Sequence, residues 1–261
     1  MIERILFGCH NLTAGSSAGR SRRLVEAALS LGIRRFDVAP SYGLGTAEAM
    51  LGRALGAQRH SVEITSKFGI LPAPLGAVAV WGREPYRALR RLLSQRPEPR
   101  LQTQMVTPKA GAPAAFPFSA SVAVQRSLRR LGVDHLGAVL IHERIEGKFA
   151  LGLGDELAEL KRRGLIMRWG VSGASANVRD MISLAGSPDI VQVAFGDAEA
   201  FAGASELRLF NLSHGTNGAS AAEVAQKLAA QARALLSRRS NAAILFNTSS
   251  VSHLELFVKA L

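Results

Sequence analysis

A single cysteine, Cys9, stands among 261 residues. It can close no intramolecular disulfide and supply no half of a multi-cysteine zinc site, so the chain needs no oxidising compartment and a cytoplasmic location is expected. No run approaches the ~18 apolar residues that a membrane span needs. The N-terminus, Met1-Ile2-Glu3-Arg4-Ile5-Leu6-Phe7-Gly8, has an acid at its third position and no sustained apolar stretch of the secretory type. Also missing are G-x-S-x-G, a P-loop lysine motif, H-E-x-x-H and any Cys/His metal spacing, so no metal is expected. No G-x-G-x-x-G follows the first apolar run, where Phe7-Gly8-Cys9-His10-Asn11-Leu12 stands, and the pairs Gly43-x-Gly45 and Gly152-x-Gly154 have no third glycine. The dinucleotide fingerprint of an open doubly wound sheet is therefore absent.

What is present is globular in composition: 48% hydrophobic, 20% charged, with 25 glycines and 10 prolines. The length suits one large domain over residues 1–261, since (β/α)8 barrels run to ~250 residues. Lysine and arginine outnumber aspartate and glutamate 32 to 20, for a formal charge of +12. Such an excess attracts polyanions, but here it is scattered in pairs such as Arg22-Arg23, Arg90-Arg91 and Arg238-Arg239, many on helices that must also bury an apolar face. No nucleic-acid partner is expected, and the charge instead favours encounter with an anionic small molecule.

Hydrophobic periodicity alternates between short apolar runs and longer segments at helical spacing. The strand candidates are Ile5 to Phe7, Ile33 to Val38, Val62 to Ser66, Gly137 to Ile141, Ile166 to Val171, Ile190 to Phe195, Leu207 to Leu212 and Ala243 to Phe246. Helices are expected near Ser21 to Leu31, Thr46 to Leu55, Ser119 to Leu131, Asp155 to Arg163, Ala176 to Leu184, Asp197 to Ala204, Ala219 to Leu236 and Ser250 to Ala260. Unbroken strand–helix alternation implies a parallel sheet covered by helices, and eight units imply closure into a (β/α)8 TIM barrel. The rhythm breaks once, over residues 70–117, a proline-rich insertion after the third strand that would sit at the barrel mouth as a lid or pocket wall.

Working groups of such barrels project from the C-terminal ends of strands. The second strand runs into Phe36-Asp37-Val38-Ala39-Pro40-Ser41-Tyr42-Gly43, the third into Ser66-Lys67-Phe68-Gly69 and the fourth into Ile141-His142-Glu143, so Asp37, Tyr42, Lys67 and His142 meet at one rim. Around them run Gly32-Ile33-Arg34-Arg35-Phe36-Asp37-Val38-Ala39, Glu48-Ala49-Met50-Leu51-Gly52, Ser127-Leu128-Arg129-Arg130-Leu131-Gly132-Val133-Asp134, Gly170-Val171-Ser172-Gly173 and Val191-Gln192. On these ordered motifs the chain resembles the aldo-keto reductase superfamily over nearly its full length. The resemblance implies a barrel that binds a nicotinamide cofactor without a Rossmann domain, and a catalytic tetrad of Asp37, Tyr42, Lys67 and His142. The chemistry supports those roles. Reducing a carbonyl by hydride leaves an alkoxide that needs a proton, which Tyr42 would give. A buried Lys67 ammonium is expected to lower the phenol's pKa from ~10, Asp37 to hold Lys67, and His142 to orient the substrate oxygen.

For the cofactor, the resemblance implies that Ser172 and Gln192 hold the carboxamide, with Gly173 where the family has an asparagine, and that Phe210 stacks on the ring. Asn247, Thr248, Ser249 and Ser250 open the last helix, where free N–H groups and the dipole favour a phosphate. With His253 they are the expected adenosine-phosphate segment, and NADP(H) is expected ahead of NAD(H). The family's lysine and arginine here stand as Asn247 and His253, and its Glu-Asn pair at adenine as Leu256-Phe257. The N-terminal hairpin and C-terminal substrate loop of many members are not found, so the pocket is expected from residues 70–117 and from Cys9, His10 and Asn11, with Trp81, Tyr86, Phe116 and Phe118 as walls. The expected reaction interconverts an aldehyde or ketone and its alcohol. An NAD(P)-dependent aldose dehydrogenase is one alternative, since the insertion resembles that of sugar-oxidising members. A non-catalytic sensor or partner protein, suggested by Gly173, Asn247, Leu256 and Phe257, is another.

Overall fold

Parallel strands need crossover connections, and helices that make those connections cover the sheet faces. The computed structural model describes residues 1–70, 119–143, 145, 150–212 and 220–261. Its strands are β1 Ile5–Gly8, β2 Arg35–Asp37, β3 Glu63–Phe68, β4 Ala138–His142, β5 Trp169–Ser172, β6 Ile190–Ala194, β7 Glu206–Phe210 and β8 Ala242–Asn247. They pair in parallel and in sequence order, and β8 returns to β1 to close the barrel. Among the described residues the α-helices are α1 Ala18–Ser30, α2 Ala47–Leu55, α3 Ala120–Leu131, α4 Leu153–Arg162, α5 Ser175–Ala185, α6 Ala221–Arg238 and α7 Val251–Ala260. The expected (β/α)8 barrel is therefore the observed fold. Apart from Ile70, the expected insertion over 70–117 lies outside the described residues, as do Trp81, Tyr86, Phe116 and Phe118.

One unit differs from expectation. After β6 the chain makes a 3-10 segment, Phe195–Phe201, in place of an α-helix over Asp197 to Ala204. Only Ala198 and Phe201 of that segment are buried, and Gly203 follows it. So little apolar surface does not hold a longer helix, whereas short 3-10 pieces make natural connectors.

Alternation along the strands sorts side chains into two environments. Ile5, Phe7, Phe36, Ile64, Val139 and Ile141 point outward into the core shared with Leu24, Leu51, Leu128 and Leu157 of the helices. The inward set forms small apolar clusters, Leu6 with Ala243 and Leu245, and Ala138 with Leu140 and Ile190. The rest of the interior is polar. Arg208 of β7, 0% exposed, donates to Thr65 Oγ1 at 2.7 Å, Glu63 Oε1 at 2.9 Å and Glu206 Oε1 at 2.8 Å. Since β3 and β7 are not neighbours, the bonds to Thr65 and Glu63 cross the barrel. Arg35 and Arg168 each pair with both Glu63 and Glu206. Three guanidiniums and two carboxylates thus fill the N-terminal end, each buried charge facing an opposite one as burial demands.

Helix ends are fixed locally. Ser119, Ser220 and Ser250 cap α3, α6 and α7 by accepting from the N–H of Val122, Glu223 and His253, contacts worth about 1 kcal/mol each.

Candidate active site

Three neighbouring strands deliver the expected catalytic residues to the barrel's C-terminal end. Asp37 ends β2, Lys67 lies near the end of β3, and His142 ends β4. Tyr42 sits in the tight turn Tyr42–Gly45 just beyond β2. That turn requires Gly43, because its φ is 55° and a Cβ there would lie 2.0 Å from the Leu12 carbonyl oxygen. Lys67 Nζ donates to Asp37 Oδ1 and, at 3.1 Å, to Tyr42 Oη. Lys67 and Asp37 are 1% and 0% exposed and Tyr42 is 7% exposed. The imidazole of His142 stands edge-on to the Tyr42 ring with centroids 6.0 Å apart, and His10, just past β1, does the same at 4.9 Å.

The motif around Glu48 braces this cluster. Glu48, 1% exposed on α2, accepts from Ser66 Oγ at 2.7 Å and from Arg130 Nη1 at 3.0 Å. It thereby ties α2 and α3 to the residue preceding Lys67. Gly52 lets the two helices close, since a Cβ there would meet the Leu131 carbonyl oxygen at 2.3 Å.

Electrostatics set the protonation states. Burial opposes charge on Lys67, but the Asp37 carboxylate, with Tyr42, overcomes it and holds the ammonium above its ordinary value. Tyr42 departs from the expected direction. Burial, reinforced by Asp37, pushes the phenol up and outweighs the downward pull of Lys67, so Tyr42 keeps its proton. His142 is pushed down to about 3, first by burial and then by Lys67 and His10. His10 is lowered by burial and Lys67, and burial with Asp37 drives the Cys9 thiol well up. At neutral pH the site therefore holds a cation, neutral imidazoles, a protonated phenol and no reactive thiolate.

The expected cofactor residues fall into separate groups. Ladder register puts His142, Ser172 and Gln192 in one row across β4, β5 and β6. Gln192 Nε2 donates to Ser172 Oγ at 3.2 Å, while Gln192 Oε1 is buried without a hydrogen-bond partner among the described residues. Phe210, half-buried at the end of β7, packs on the interior cluster of Leu6, Ala243 and Leu245. At the end of β8, Asn247 is exposed with its side chain across Gly8, where a Cβ would lie 1.7 Å from Oδ1. Thr248 Oγ1 accepts from the Ser250 N–H at 3.1 Å, Ser250 Oγ caps α7, and Ser249 and His253 are exposed. Phe257 is core, stacked on Phe246 with centroids 4.0 Å apart.

The sequence pattern of the Aldo/keto reductase family matches residues 4–196. The chain belongs to the aldo/keto reductase family. An uncharacterised oxidoreductase of Mycobacterium tuberculosis is 39% identical over 82 residues, 31% of this chain and 24% of the relative. A 6-dehydroglucose reductase of Agrobacterium fabrum is 31% identical over 176 residues, 66% of this chain and 50% of that one. The matches thus span between a quarter and a half of these relatives' lengths. Among solved structures, an aldo-keto reductase from Klebsiella pneumoniae in complex with NADPH superposes with a TM-score of 0.65 at 19% identity, over 98% of this chain and 84% of that one. The holo form of an aldo-keto reductase from Bacillus halodurans gives 0.64 at 17%, over 98% and 86%. At these identities the likeness speaks for the aldo/keto reductase barrel alone.

Two features of this aldo/keto reductase escaped the sequence reading. One is the ionic group of Arg35, Glu63, Arg168, Glu206 and Arg208; its sequence signal is no more than the alternating polar residues Glu63, Thr65 and Lys67 of β3 and Glu206 and Arg208 of β7. The other is Glu143. It follows His142 with φ 64°, accepts from Asn177 Nδ2 at 2.8 Å and from the Ala174 N–H at 3.2 Å, and so caps the start of α5 from outside.

Proposed function

We propose that this chain is an NAD(P)(H)-dependent oxidoreductase that interconverts a small-molecule carbonyl and its alcohol, with Tyr42 as the proton donor. The observation that carries the reading is the buried Lys67 ammonium, held by Asp37 and donating to a protonated Tyr42 Oη. In reduction, Tyr42 gives its proton to the developing alkoxide while Lys67 stabilises the phenolate left behind. Neutral His142 donates an N–H to the same substrate oxygen and fixes its position. Asp37 keeps Lys67 charged and in place. A reduced nicotinamide, when bound, supplies the hydride.

The residues present fit that group. A carboxamide needs a donor for its oxygen and acceptors for its NH2, and Ser172 offers a hydroxyl while Gln192 Oε1 is a buried acceptor without a partner among the described residues. Phe210 at the mouth offers a ring face. The start of α7 at Ser250, with Asn247, Thr248, Ser249 and His253, offers a helix N-terminus to a phosphate. NADP(H) is favoured over NAD(H) on this reading, in keeping with the NADPH-bound Klebsiella neighbour. The name of the Agrobacterium relative favours a sugar-derived carbonyl. A second neutral imidazole at Tyr42, that of His10, suits a substrate with a hydroxyl beside the carbonyl.

Calorimetric titration with NADPH and NADH, then carbonyl turnover by the wild type and Tyr42→Phe, tests the reading. Expected are tighter binding of NADPH and a fall in kcat of about 10² to 10⁴ in Tyr42→Phe with cofactor affinity unchanged. A folded wild type that binds neither cofactor, or turnover indifferent to Tyr42→Phe, would refute it and favour the non-catalytic alternative.

A further inference from the structure

Gly173, directly after Ser172 at the end of β5, has a φ of +151°, which L side chains rarely adopt. The space a side chain would take there is filled: an ideal Cβ on Gly173 would lie 2.5 Å from Glu143 Oε2 and 2.9 Å from Oε1. The Glu143 carboxylate therefore lies over the backbone joining Ser172 to α5, beside the row of His142, Ser172 and Gln192. It is held there rather than free to swing, since the Ala174 N–H and Asn177 Nδ2 both donate to Oε2 and its own N–H donates to the Ser172 carbonyl at 2.7 Å. Both anchoring bonds fall on one oxygen, so the second oxygen retains accepting capacity. In the same row, Gln192 Oε1 is a buried acceptor with no hydrogen-bond partner among the described residues. Gln192 is 2% exposed, which leaves its carbonyl no solvent to compensate it.

We propose that Glu143 is a cofactor-binding residue of this chain, its carboxylate supplying, with Gln192 Oε1, the acceptors for the carboxamide NH2, and its charge making the site favour the oxidised cofactor over the reduced one. The proposal rests on the nicotinamide reading above. The physical basis is differential. Oxidised nicotinamide carries a positive ring and reduced nicotinamide does not, so a fixed carboxylate beside the ring would attract only the former. A ligand's two forms are discriminated by no more than that difference in interaction. At a half-buried position, with an effective dielectric between those of water and protein surface, one such charge contact gives about a five- to tenfold difference in affinity. Tenfold corresponds to a potential lowered by about 30 mV for a two-electron couple, which makes the bound reduced cofactor a stronger hydride donor.

The test uses the full chain and the change Glu143→Gln, which keeps an oxygen for Asn177 and the Ala174 N–H but removes the charge. Dissociation constants for NADP+ and NADPH are measured by titration for the wild type, Glu143→Gln and Glu143→Asp. The expected result is that Glu143→Gln loses affinity for NADP+ about five- to tenfold more than for NADPH, while Glu143→Asp, which keeps the charge, stays nearer the wild-type ratio. A purely structural role for Glu143 would weaken both forms by one factor, and that outcome overturns the proposal. So does a ratio equal in all three proteins. If the folded wild type binds neither form, the nicotinamide reading itself falls, and this inference with it.

Discussion

Replacing Lys67 by methionine isolates the strongest electrostatic contact of the site. Lys67 and Asp37 are buried to within 1% of complete, so neither charge can turn to solvent when the other is removed. Asp37 Oδ2 already lacks a hydrogen-bond partner among the described residues, and Oδ1 is the atom that Lys67 engages. Two unit charges in contact attract by roughly 5 kcal/mol at an effective dielectric of 20, and breaking a buried pair from one side costs about 3–5 kcal/mol. Lys67→Met is therefore expected to lose that much unfolding free energy, a midpoint drop on the order of 10 °C for a chain of this size. The double change Lys67→Met with Asp37→Leu replaces the pair by apolar groups of similar volume, and is expected within about 1 kcal/mol of the wild type or above it. Denaturant unfolding of the four proteins gives the coupling energy directly. A single variant within about 1 kcal/mol of the wild type, or a double variant worse than either single one, would show that the pair is not desolvated and charged as argued. Both variants are expected to lose turnover, because the Tyr42 hydroxyl loses the ammonium that donates to it.

The ionic group at the other end of the barrel gives a prediction of order. Glu206→Gln leaves three guanidiniums around Glu63 and is expected to cost about 3–4 kcal/mol, whereas Arg208→Met leaves two carboxylates with Arg35 and Arg168 and is expected to cost about 1–2 kcal/mol; chemical denaturation giving the reverse order would refute the charge count. For His142, the unfolded chain takes up a proton below about 6.5, but the folded chain holds the imidazole neutral down to about 3. Its contribution to stability is therefore complete above pH 6.5 and drains away as the pH falls toward 3. Solvent at the half-buried mouth trims the effect to about 1 kcal/mol between pH 6.5 and 5. His142→Asn is expected to flatten the pH dependence by that amount, and parallel stability curves for the two proteins would count against a proton-free His142.

Much of the fold was legible because strand and helix periods differ and the barrel repeats them eight times. The catalytic cluster was legible because Asp37, Tyr42, Lys67 and His142 each fall at or just past a strand's C-terminal end. What could not be read has physical reasons. Alternating polar residues on a strand say that one face differs from the other, but not which face is the interior, so the pattern alone did not single out Glu63, Glu206 and Arg208. Glu143 gave no sign because its placement depends on the lack of a side chain at Gly173, thirty positions along the chain, and on a left-handed backbone. The proton affinity of Tyr42 went the other way because burial of the phenol outweighs its cationic neighbour. The family match ends at residue 196, before β7 and the segment from Asn247 to His253, where the chain departs most from family expectation.

The ionic floor of the barrel also constrains how the chain reaches its native state. Arg35 and Glu63 come from the first half of the chain, Arg168, Glu206 and Arg208 from the second, and the bonds of Arg208 to Thr65 and Glu63 span 143 and 145 residues. During synthesis the strands β1 to β4 emerge with Glu63 facing a single guanidinium and Thr65 facing none. The floor completes only when β7 arrives, and closing such distant contacts is slow. A half-barrel of this sequence would lack the partner that Thr65 and Glu63 find in Arg208, so the ionic floor beneath Lys67 is whole only once residue 208 has joined it.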